Sequence, residues 1–370
     1  MKIENLQRIE AMIVQAILGG PALVQYRAGD ISAAVLRPWA IKIRQMAESY
    51  TGERGGKNNP RPEVSAEAYC LYYLIPNVER LSAVLSHIPT TFFERELHVL
   101  DYGCGPGTAA LTLIEGQRGY PLTIVGVDSS SRMLQLAQKI VPSLAPGSAQ
   151  VTWQGASSLA AAGAKKFDLI ILANVINEVP TSELHSLLSS IADRLAEGGV
   201  IVLLEPAMFE ATRSLMTARD ALLRKFARLS PIYPCTHRQD CPMLRLSTQD
   251  WCHNCIDWER PKLLRQLDEL TGFTKHRLKY SAVVLGLGAA LKDGLRVVTI
   301  PDRNKHSWWA TVCGEGVYGD AVLEKRKVSV DNSCFKKVEL HDHIQIENME
   351  EGRKIGSSSV VRVIPQYSCK

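Results

Sequence analysis

The feature that most restricts the fold of this chain is a series of short apolar segments that alternate with helical stretches. Between residues 97 and 206 these segments read LHVLDY, LTIVGVD, QVTW, FDLIILAN and GVIVLLEP. Strands that are covered by crossover helices on both faces are parallel and read as nearly continuous apolar runs. The pattern therefore predicts an α/β fold with a parallel sheet. Two later runs, YSAVVLGLG and LRVVTIP, are expected to supply the last two strands of a seven-stranded sheet.

The chain of 370 residues is long enough for one large core with additional segments. Residues 1–96 have the apolar periodicity of helices, so we expect an N-terminal helical region. Residues 97–304 are expected to form a nucleotide-binding domain, with a cysteine-rich insertion at about 231–261. Residues 305–370 contain short β-like runs, which predict a small β-rich C-terminal tail.

Composition and charge narrow the class of protein further. A hydrophobic content of 46% and a charged content of 22% are typical of a soluble globular protein. No uncharged apolar run reaches the roughly 18 residues that are needed to span a bilayer. The start, MKIENLQRIE, lacks the features of a secretory or transit peptide. We therefore expect a cytoplasmic monomer that does not insert into membranes, and the net charge of +5 permits a polyanionic partner.

The stretch VLDYGCGPGTAAL has the composition of a turn that joins a strand to a helix around a ligand. Asp101 ends the strand, and three glycines follow before the helix: Gly103, Gly105 and Gly107. Glycine lets the backbone turn sharply and approach a ligand closely, and amides at a helix start can face an anionic group. Because nicotinamide and flavin enzymes use a related loop, the glycines alone do not identify the nucleotide. Asp128 ends the second strand, where a carboxylate can accept hydrogen bonds from both ribose hydroxyls.

The D-x-G-x-G-x-G form of this loop resembles the first motif of Rossmann-like, class I methyltransferases that use S-adenosylmethionine. Dinucleotide-binding loops usually lack the leading acid. FDLIILANVINEVP resembles the fourth motif of these enzymes, and GGVIVLLEP resembles their fifth-strand region. Many relatives carry an acid after strand three, where this chain reads GASSL and offers Ser157. The resemblance implies a set of cofactor-binding residues: Asp101, Gly103, Gly105, Gly107, Asp128, Ser129 and Asn174.

The polar residues after strand four are the candidates for catalysis. No Asn/Asp-Pro-Pro-Tyr stretch follows that strand, so methylation of an exocyclic amino group is not indicated. A Pro-Cys pair is also missing there, which argues against a cysteine nucleophile. Asn177 and Glu178 remain as polar groups near the expected position of the methyl group. Glu178 is a candidate general base, and it is equally a candidate cap for the following helix.

Four of the nine cysteines fall within the segment PCTHRQDCPMLRLSTQDWCHNC. They are Cys235, Cys241, Cys252 and Cys255, with the spacing Cys-x5-Cys-x10-Cys-x2-Cys. An odd number of cysteines with such a cluster fits a reducing compartment and a metal site better than disulfides. Thiolate ligands select zinc or an iron–sulfur cluster, and the spacing alone leaves both open.

PC-x-H-x3-CP, followed by WCH and KYSAVVL, resembles the signature of a family of methyltransferase-like proteins that work on the small ribosomal subunit. It is the Rsm-twenty-two, or methyltransferase-like protein seventeen, family. YRAG, VLDYGCGPGT, LANVINEVP and RVVTIP extend the similarity over most of residues 20–320. The resemblance implies a 4Fe–4S cluster with these ligands: Cys235, Cys241, Cys252 and, well downstream, Cys313. Cys255 departs from the pattern, and it is either an extra thiol beside the cluster or replaces Cys313 in a zinc site.

Basic residues are concentrated around the cysteine segment. Between residues 222 and 305 there are fifteen Lys or Arg against eight Asp or Glu. Those nearest the cysteines are Arg224, Lys225, Arg228, Arg238, Arg245, Arg260, Lys262 and Arg265, with Trp251 and Trp258 among them. Basic side chains hold phosphates and aromatic rings stack on unpaired bases, although a solvated basic face has the same composition. The family resemblance implies that the partner is the small ribosomal subunit and its RNA.

These features lead to one preferred function and two rivals. The resemblance implies a methyltransferase, or a methyltransferase-like factor, that acts on small-subunit ribosomal RNA in ribosome assembly or translation. A non-catalytic RNA-binding assembly factor would keep the cofactor and the metal centre for structure alone. A nicotinamide oxidoreductase with an iron–sulfur centre is the second rival, and Asp101 argues against it because dinucleotide loops usually lack that acid.

Overall fold

The computed structural model describes residues 1–51, 62–116, 119–141, 149–155, 165–291 and 294–364. It divides into two compact units. The first comprises Met1–Val175 and Cys255–Tyr280, and the second comprises Ile176–Asn254 and Ser281–Lys370. The boundaries that the sequence suggested, at residues 96 and 304, stay predictions.

Helices and strands alternate along much of the chain. Within the described ranges the helices are α1 (Ile3–Ile17), α2 (Gly20–Ala28), α3 (Ala33–Thr51), α4 (Pro62–Tyr72), α5 (Leu74–Leu85), α6 (Thr108–Glu115), α7 (Ser131–Ile140), α8 (Thr181–Ala192), α9 (Phe209–Lys225), α10 (Pro242–Leu246) and α11 (Lys262–Thr271). The strands are β1 (Leu97–Tyr102), β2 (Leu122–Val127), β3 (Ala149–Gln154), β4 (Phe167–Ala173), β5 (Leu195–Glu205), β6 (Leu229–Tyr233), β7 (Asn254–Asp257), β8 (Arg277–Leu287), β9 (Leu295–Val297), β10 (Asp302–Arg303), β11 (Ser307–Gly314), β12 (Val317–Glu324), β13 (His343–Glu347), β14 (Lys354–Ile355) and β15 (Val360–Ile364). None of the helices in these ranges is long and apolar enough to cross a membrane.

The first unit contains four strands that pair in parallel, in the order β3-β2-β1-β4. They coincide with the first four apolar runs that the sequence marked as strands. The apolar side chains of β1 and β4 are buried, as expected for strands that are covered on both faces. Parallel strands end at the same edge of a sheet, so the loops that follow β1, β2 and β4 meet there.

A buried carboxylate joins two helices of the first unit. Glu10 on α1 is 1% exposed and accepts hydrogen bonds from the hydroxyl of Tyr26 at 2.6 Å and from the amides of Leu263 and Leu264, each at 2.9 Å. The two amides belong to the first turn of α11, whose N–H groups lack partners within the helix. Glu10 therefore caps α11 from a position 253 residues away in the chain.

The strands of the second unit correct one sequence prediction. β8 is antiparallel to β5 and to β6, so the fold is α/β with a mixed sheet. LRVVTIP was wrongly assigned to this sheet, because Leu295–Val297 forms β9 in a different one. Leu229–Tyr233 forms β6, which pairs with β8 in place of the strand expected from LRVVTIP. Pro231 hid this strand in the sequence, because proline is tolerated at the edge of a sheet, and β6 lies at that edge.

Residues 295–364 of the second unit form a seven-stranded sheet of their own. Its order is β14-β12-β11-β9-β13-β15, and β10 pairs with β11. Apolar side chains from several of these strands build its core, including Val312, Leu323, Ile344 and Ile355. β11 carries Cys313, one of the proposed metal ligands, so this sheet fixes the position of that thiol.

The buried carboxylate of Glu10 predicts a dependence of stability on pH. Burial raises the pKa of Glu10 from 4.5 to about 7, and the bonds from Tyr26, Leu263 and Leu264 only partly oppose this rise. The stabilisation from the protonated form is therefore complete below pH 4.5 and is lost as the pH rises through about 7. Between pH 5 and 7.5 the titration of Glu10 should lower the parent's free energy of unfolding by on the order of 2–3 kcal/mol. In Glu10→Gln this pH-dependent change should disappear.

Urea unfolding followed by circular dichroism measures this effect. Glu4→Gln on the exposed side of the same helix is the matched control and should keep the parent's pH dependence. Glu10→Ala removes the acceptor of three buried donors and should cost about 2–4 kcal/mol. A parent-like pH profile for Glu10→Gln would contradict the assignment of this titration to Glu10.

Candidate functional site

The loop between β1 and α6 is built from glycines in left-handed backbone conformations. Gly103, Gly105 and Gly107 have φ angles of 72°, 51° and 92°. A residue with a Cβ is strained in this region, so the loop needs glycine at all three positions. Gly107 is also the N-cap residue that precedes α6. The sequence therefore has glycine where the turn from strand to helix requires it.

The three glycines have different surroundings. A Cβ on Gly103 would overlap the side chain of Val175, and a Cβ on Gly107 would lie 2.8 Å from Val141. These two positions thus need glycine for close packing as well as for their backbone angles. No described atom lies within 4 Å of the Cβ position of Gly105, so this glycine faces open space. Gly105 is the point of the loop at which a ligand can approach the main chain.

Asp128 holds the loop in place. Its Oδ2 accepts a hydrogen bond from the Gly105 amide at 2.7 Å, and its Oδ1 accepts one from the Ser130 amide at 2.8 Å. A carboxylate has about four acceptor positions, so two remain for a ligand. Ser129, which lies between these residues, is exposed. The side chain that the sequence assigned to a ribose is therefore also the anchor of the glycine loop.

Asp101 is a buried acid at the end of β1. It is 2% exposed, accepts a hydrogen bond from the amide of Ala109, and its Oδ2 has no hydrogen-bond partner among the described residues. Burial raises the pKa of Asp101 to about 8, and the neighbouring Asp128 contributes to this rise. A cation brought near this carboxyl group would favour its ionised form. The geometry thus suits a positively charged ligand group.

Asn174 follows β4 and adopts a φ of 60°. Asparagine tolerates this left-handed conformation better than most residues with a Cβ. The adjacent Val175 packs against Gly103, which brings the end of β4 to the glycine loop. The structure therefore brings together the predicted cofactor residues at the carboxyl ends of β1, β2 and β4. Ser157, the candidate on the adenine side, lies outside the described residues.

The two candidate catalytic residues belong to the second unit. Asn177 and Glu178 are both exposed. α8 begins after Pro180, which is the cap residue and makes no side-chain cap hydrogen bond, so Glu178 does not occupy the cap position. The capping interpretation of Glu178 is therefore not supported, and its role as a base stays a prediction.

Glu205 is a residue of this region that the sequence reasoning did not single out. It ends β5, is 1% exposed and accepts a hydrogen bond from the Ile176 amide at 2.7 Å. Its bond fixes the backbone immediately before Asn177. The signal in the sequence was an acid at the end of a buried apolar run, GVIVLLEP, which is the same signal that identified Asp101.

The four cysteines assigned to the metal centre all lie in the second unit and influence one another. Burial raises the pKa of the Cys241 thiol to about 12, and Cys235 and Cys252 add to this rise. Burial also raises the pKa of the Cys313 thiol well above its ordinary value, with contributions from the other three. Cys313 lies 58 residues beyond Cys255 in the sequence. It is nevertheless close enough to Cys235, Cys241 and Cys252 to interact with their thiols.

No group of three or more Cys, His, Asp or Glu side chains in the described part of the chain is arranged to hold a metal ion. Charge interactions act over longer distances than metal–ligand bonds. The thiols can therefore change one another's pKa without lying at the distances that a shared metal ion requires. Cys255, the alternative fourth ligand, belongs to the first unit. The metal centre therefore stays a prediction.

Two buried arginines lie beside these thiols. Arg219 is fully buried, donates to Asp220 at 2.6 Å and also donates to two main-chain carbonyls. Arg296 is 3% exposed and donates to the thiol of Cys252 at 3.9 Å and to Nδ1 of His341 at 2.7 Å. Asp220 also accepts from the Cys241 amide at 2.9 Å. Two buried guanidinium groups against one carboxylate leave an excess of positive charge, which thiolates would balance.

Several of the basic residues that the sequence grouped as an RNA surface have structural partners instead. In the first unit, Arg260 pairs with Asp268 at 2.6 Å, and Lys262 donates to two main-chain carbonyls. In the second unit, Arg238 donates to main-chain carbonyls and Arg228 pairs with Glu197. Such groups are only partly available to phosphates, so the count of basic residues overstates the charge that this region presents.

Comparison with known proteins supplies a family and several more distant similarities. A family model described as mitochondrial small ribosomal subunit Rsm22 matches residues 63–339. The chain is 29% identical over 230 residues to a trans-aconitate 2-methyltransferase of Azoarcus sp. (strain BH72), covering 55% of this chain and 83% of that protein.

Among solved structures, the chain is similar to the plantazolicin methyltransferase BamL in complex with SAH, at 12% identity and a TM-score of 0.38, covering 69% of this chain and 99% of that one. It is also similar to magnesium protoporphyrin IX methyltransferase from Synechocystis PCC 6803 with bound SAM, at 16% identity and a TM-score of 0.36, covering 66% and 96%. The family model extends over most of the chain, from α4 to beyond β12. The chain belongs to the mitochondrial small ribosomal subunit Rsm22 family.

Proposed function

We propose that this protein is an S-adenosylmethionine-dependent methyltransferase that acts on the RNA of the small ribosomal subunit. The observation that carries the proposal is the glycine loop, in which Gly105 faces open space while Asp128 holds its amide. Membership of a family named for the small ribosomal subunit supports the substrate. The relative from Azoarcus, which is named as a methyltransferase, supports the reaction class.

The cofactor would bind at the carboxyl ends of β1, β2 and β4. Gly103, Gly105 and Gly107 would let the main chain approach the amino-acid part of the cofactor, and the free acceptor positions of Asp128 would hold the ribose hydroxyls. The carboxyl group of Asp101 would lose its proton when a cationic group comes near. Ser129 and Asn174 flank these residues and would complete the contacts.

S-adenosylmethionine supplies an electrophilic methyl group on a sulfonium centre. The protein must then orient the acceptor and remove a proton from it. Glu178 is the proposed general base and Asn177 the proposed hydrogen-bonding partner of the acceptor, and Glu205 would act as a positioning residue through its bond to Ile176. Both candidate groups are exposed, as a site that receives a macromolecular substrate requires.

A non-catalytic assembly factor is the second candidate function. The residues after β4 favour it, because their sequence contains no motif of amino-group or carbon methylation. The polar residues at this place, Asn177 and Glu178, are exposed. In this alternative the protein binds ribosomal RNA, and the cofactor and metal centre only stabilise its shape. A monomer in the cytoplasm remains our expectation, although the family description refers to mitochondria.

The proposed metal centre is a 4Fe–4S cluster held by Cys235, Cys241, Cys252 and Cys313. The donor set supports it, because four thiols influence one another beside two buried arginines. Such a cluster would be structural, since it would link the cysteine segment to β11. Zinc with Cys255 in place of Cys313 is the alternative.

Removal of the loop anchor tests the cofactor site. Asp128→Ala abolishes two charge-assisted hydrogen bonds within the loop and the proposed contact to the ribose, so the affinity for S-adenosylmethionine should fall about 10- to 100-fold. Asp128→Asn keeps the size of the side chain and should give a smaller loss. Isothermal calorimetry measures both, with the exposed Asp30→Ala in the same unit as the control. Parent-like affinity in Asp128→Ala would reject this site.

Metal analysis of two serine variants tests the ligand set. After anaerobic purification, Cys313→Ser should lose bound iron, sulfide and visible absorbance, because a cluster ligand is removed. Cys255→Ser is the matched control and should retain all three. A parent protein that contains zinc and no iron, and that loses the zinc in Cys255→Ser, would support the alternative site instead.

Methyl transfer to immature ribosomal subunits separates the two candidate functions. With labelled S-adenosylmethionine, the parent should transfer the label to the RNA of small subunits isolated from cells that lack the protein. Glu178→Gln should slow transfer by about 100-fold or more at unchanged cofactor affinity, since a general base contributes at least that much. Glu183→Gln, an exposed acid on the following helix, is the control. Cofactor and RNA binding without any transfer would favour the non-catalytic factor.

A further inference from the structure

The sheet formed by residues 295–364 carries an aromatic and basic surface that the function proposed above does not use. Trp308 on β11 packs partly against the core of this sheet. The ammonium group of Lys325 lies 5.3 Å from the centre of its ring, and that of Lys336 lies 5.8 Å from it. Both lysines are exposed. Attraction between a cation and an indole ring holds two ammonium groups near one another at the surface.

Further cations join this pair from neighbouring turns. Arg303 on β10 is the direct partner of Trp308 in the antiparallel register, so the two side chains share one face of the sheet. The amide of Lys325 donates to the carbonyl of His306 at 2.8 Å, which brings the turn that contains Lys305 beside it. We refer to Arg303, Lys305, Trp308, Lys325 and Lys336 as the Trp308 patch.

The alternation of side chains along the strands separates this patch from the nearby acids. Three acids are paired in register with residues whose side chains lie on the face opposite to Trp308: Asp302 with Trp309, Asp320 with Thr311 and Glu324 with Ser307. Successive residues of a strand point to opposite faces, so these carboxylates are directed away from the patch. The same face carries the buried Ala310 and Val312 further along β11, so the cations of the patch gather at the margin of this apolar face, around the ring of Trp308. Residues 302–327 contain five Lys or Arg and four Asp or Glu, but the three paired acids do not share this face.

The cations of the patch have no carboxylate partners among the described residues. The ion pairs in this part of the chain join Arg326 to Glu324 and Lys327 to Glu350. Both pairs use neighbouring basic residues and leave the ammonium groups of Lys325 and Lys336 to solvent. An array of uncompensated cations beside an indole ring attracts a polyanion that also carries flat apolar groups, and single-stranded RNA has both.

We propose that the Trp308 patch binds the phosphates of a single-stranded segment of RNA. The inference rests on the proposed function, since it assigns a second contact surface for the same class of partner. Lys325 and Lys336 would each contact a phosphate, while the indole of Trp308 fixes their separation and offers its edge to a base. Arg303 and Lys305 would extend the contact along the backbone of the RNA.

A paired substitution tests the proposal on the full chain. The double variant Lys325→Gln and Lys336→Gln removes two phosphate contacts, so its affinity for a labelled oligouridylate should fall about 10- to 30-fold at about 0.1 M salt. The dependence of log K on log salt concentration should become shallower by about 1.4, which corresponds to about 0.7 for each contact. Fluorescence anisotropy over a salt series measures both quantities. Replacement of both lysines by arginine should retain binding.

The control removes the same charge from a comparable place. Lys42 is exposed and lies 4.6 Å from the ring centre of Trp39, and Lys139 is exposed on α7. The double variant Lys42→Gln and Lys139→Gln should change the affinity by less than about twofold, since long-range charge alone is lost.

The outcomes distinguish this inference from the function on which it rests. If the parent binds the RNA and the Lys325/Lys336 variant matches it in affinity and salt dependence, the inference is wrong and the proposed function stands. A parent that does not bind RNA contradicts both. Weaker binding of the variant to phosphatidylserine vesicles, with unchanged RNA binding, would also overturn the inference, because the surface would then serve a membrane. Unchanged affinity for S-adenosylmethionine verifies that the variants are folded.

Discussion

The candidate cofactor site depends on the two hydrogen bonds that Asp128 accepts from the amides of Gly105 and Ser130. The three glycines of this loop have no side chains to pack, and glycine loses more backbone entropy on ordering than any other residue. The carboxylate compensates for this by binding the loop from the neighbouring strand. The parallel register of β1 and β2 determines the distance between them, so the geometry of the sheet is also the geometry of the site.

Local patterns made much of this arrangement predictable from the sequence. Apolar runs identified β1 to β5, and the acids that end β1 and β2 marked the edge at which a ligand binds. What the sequence could not supply depends on tertiary contacts. Pro231 hid β6, because its tolerance at a sheet edge is visible only when the edge is known. The influence of Cys241 on the pKa of Cys313 joins two residues far apart in the chain, which no local spacing encodes.

Both proposed sites contain buried ionisable groups whose charged forms a ligand of the opposite sign would stabilise. In the first unit the carboxyl group of Asp101 lies beside Asp128, and burial keeps it protonated near neutral pH. In the second unit Arg219 and Arg296 bring two positive charges to a group of thiols, and Asp220 is the carboxylate that pairs with Arg219. Burial of unpaired charge is costly, so each environment favours a particular partner: a cation in the first, thiolates or another anion in the second.

The same reasoning explains why a count of charges predicts surfaces poorly. Arg238, Arg260 and Lys262 belong to the most basic part of the sequence, yet they donate to main-chain carbonyls or pair with a carboxylate. Around β10 to β12 the composition is nearly neutral, but the pleat directs three acids away from Trp308, and the turns after β12 bring Lys325 and Lys336 to its ring. Charge that is available to a partner is set by strand register and by internal hydrogen bonds. A weakly basic chain can therefore present a local cationic patch where its sequence gives no sign of one.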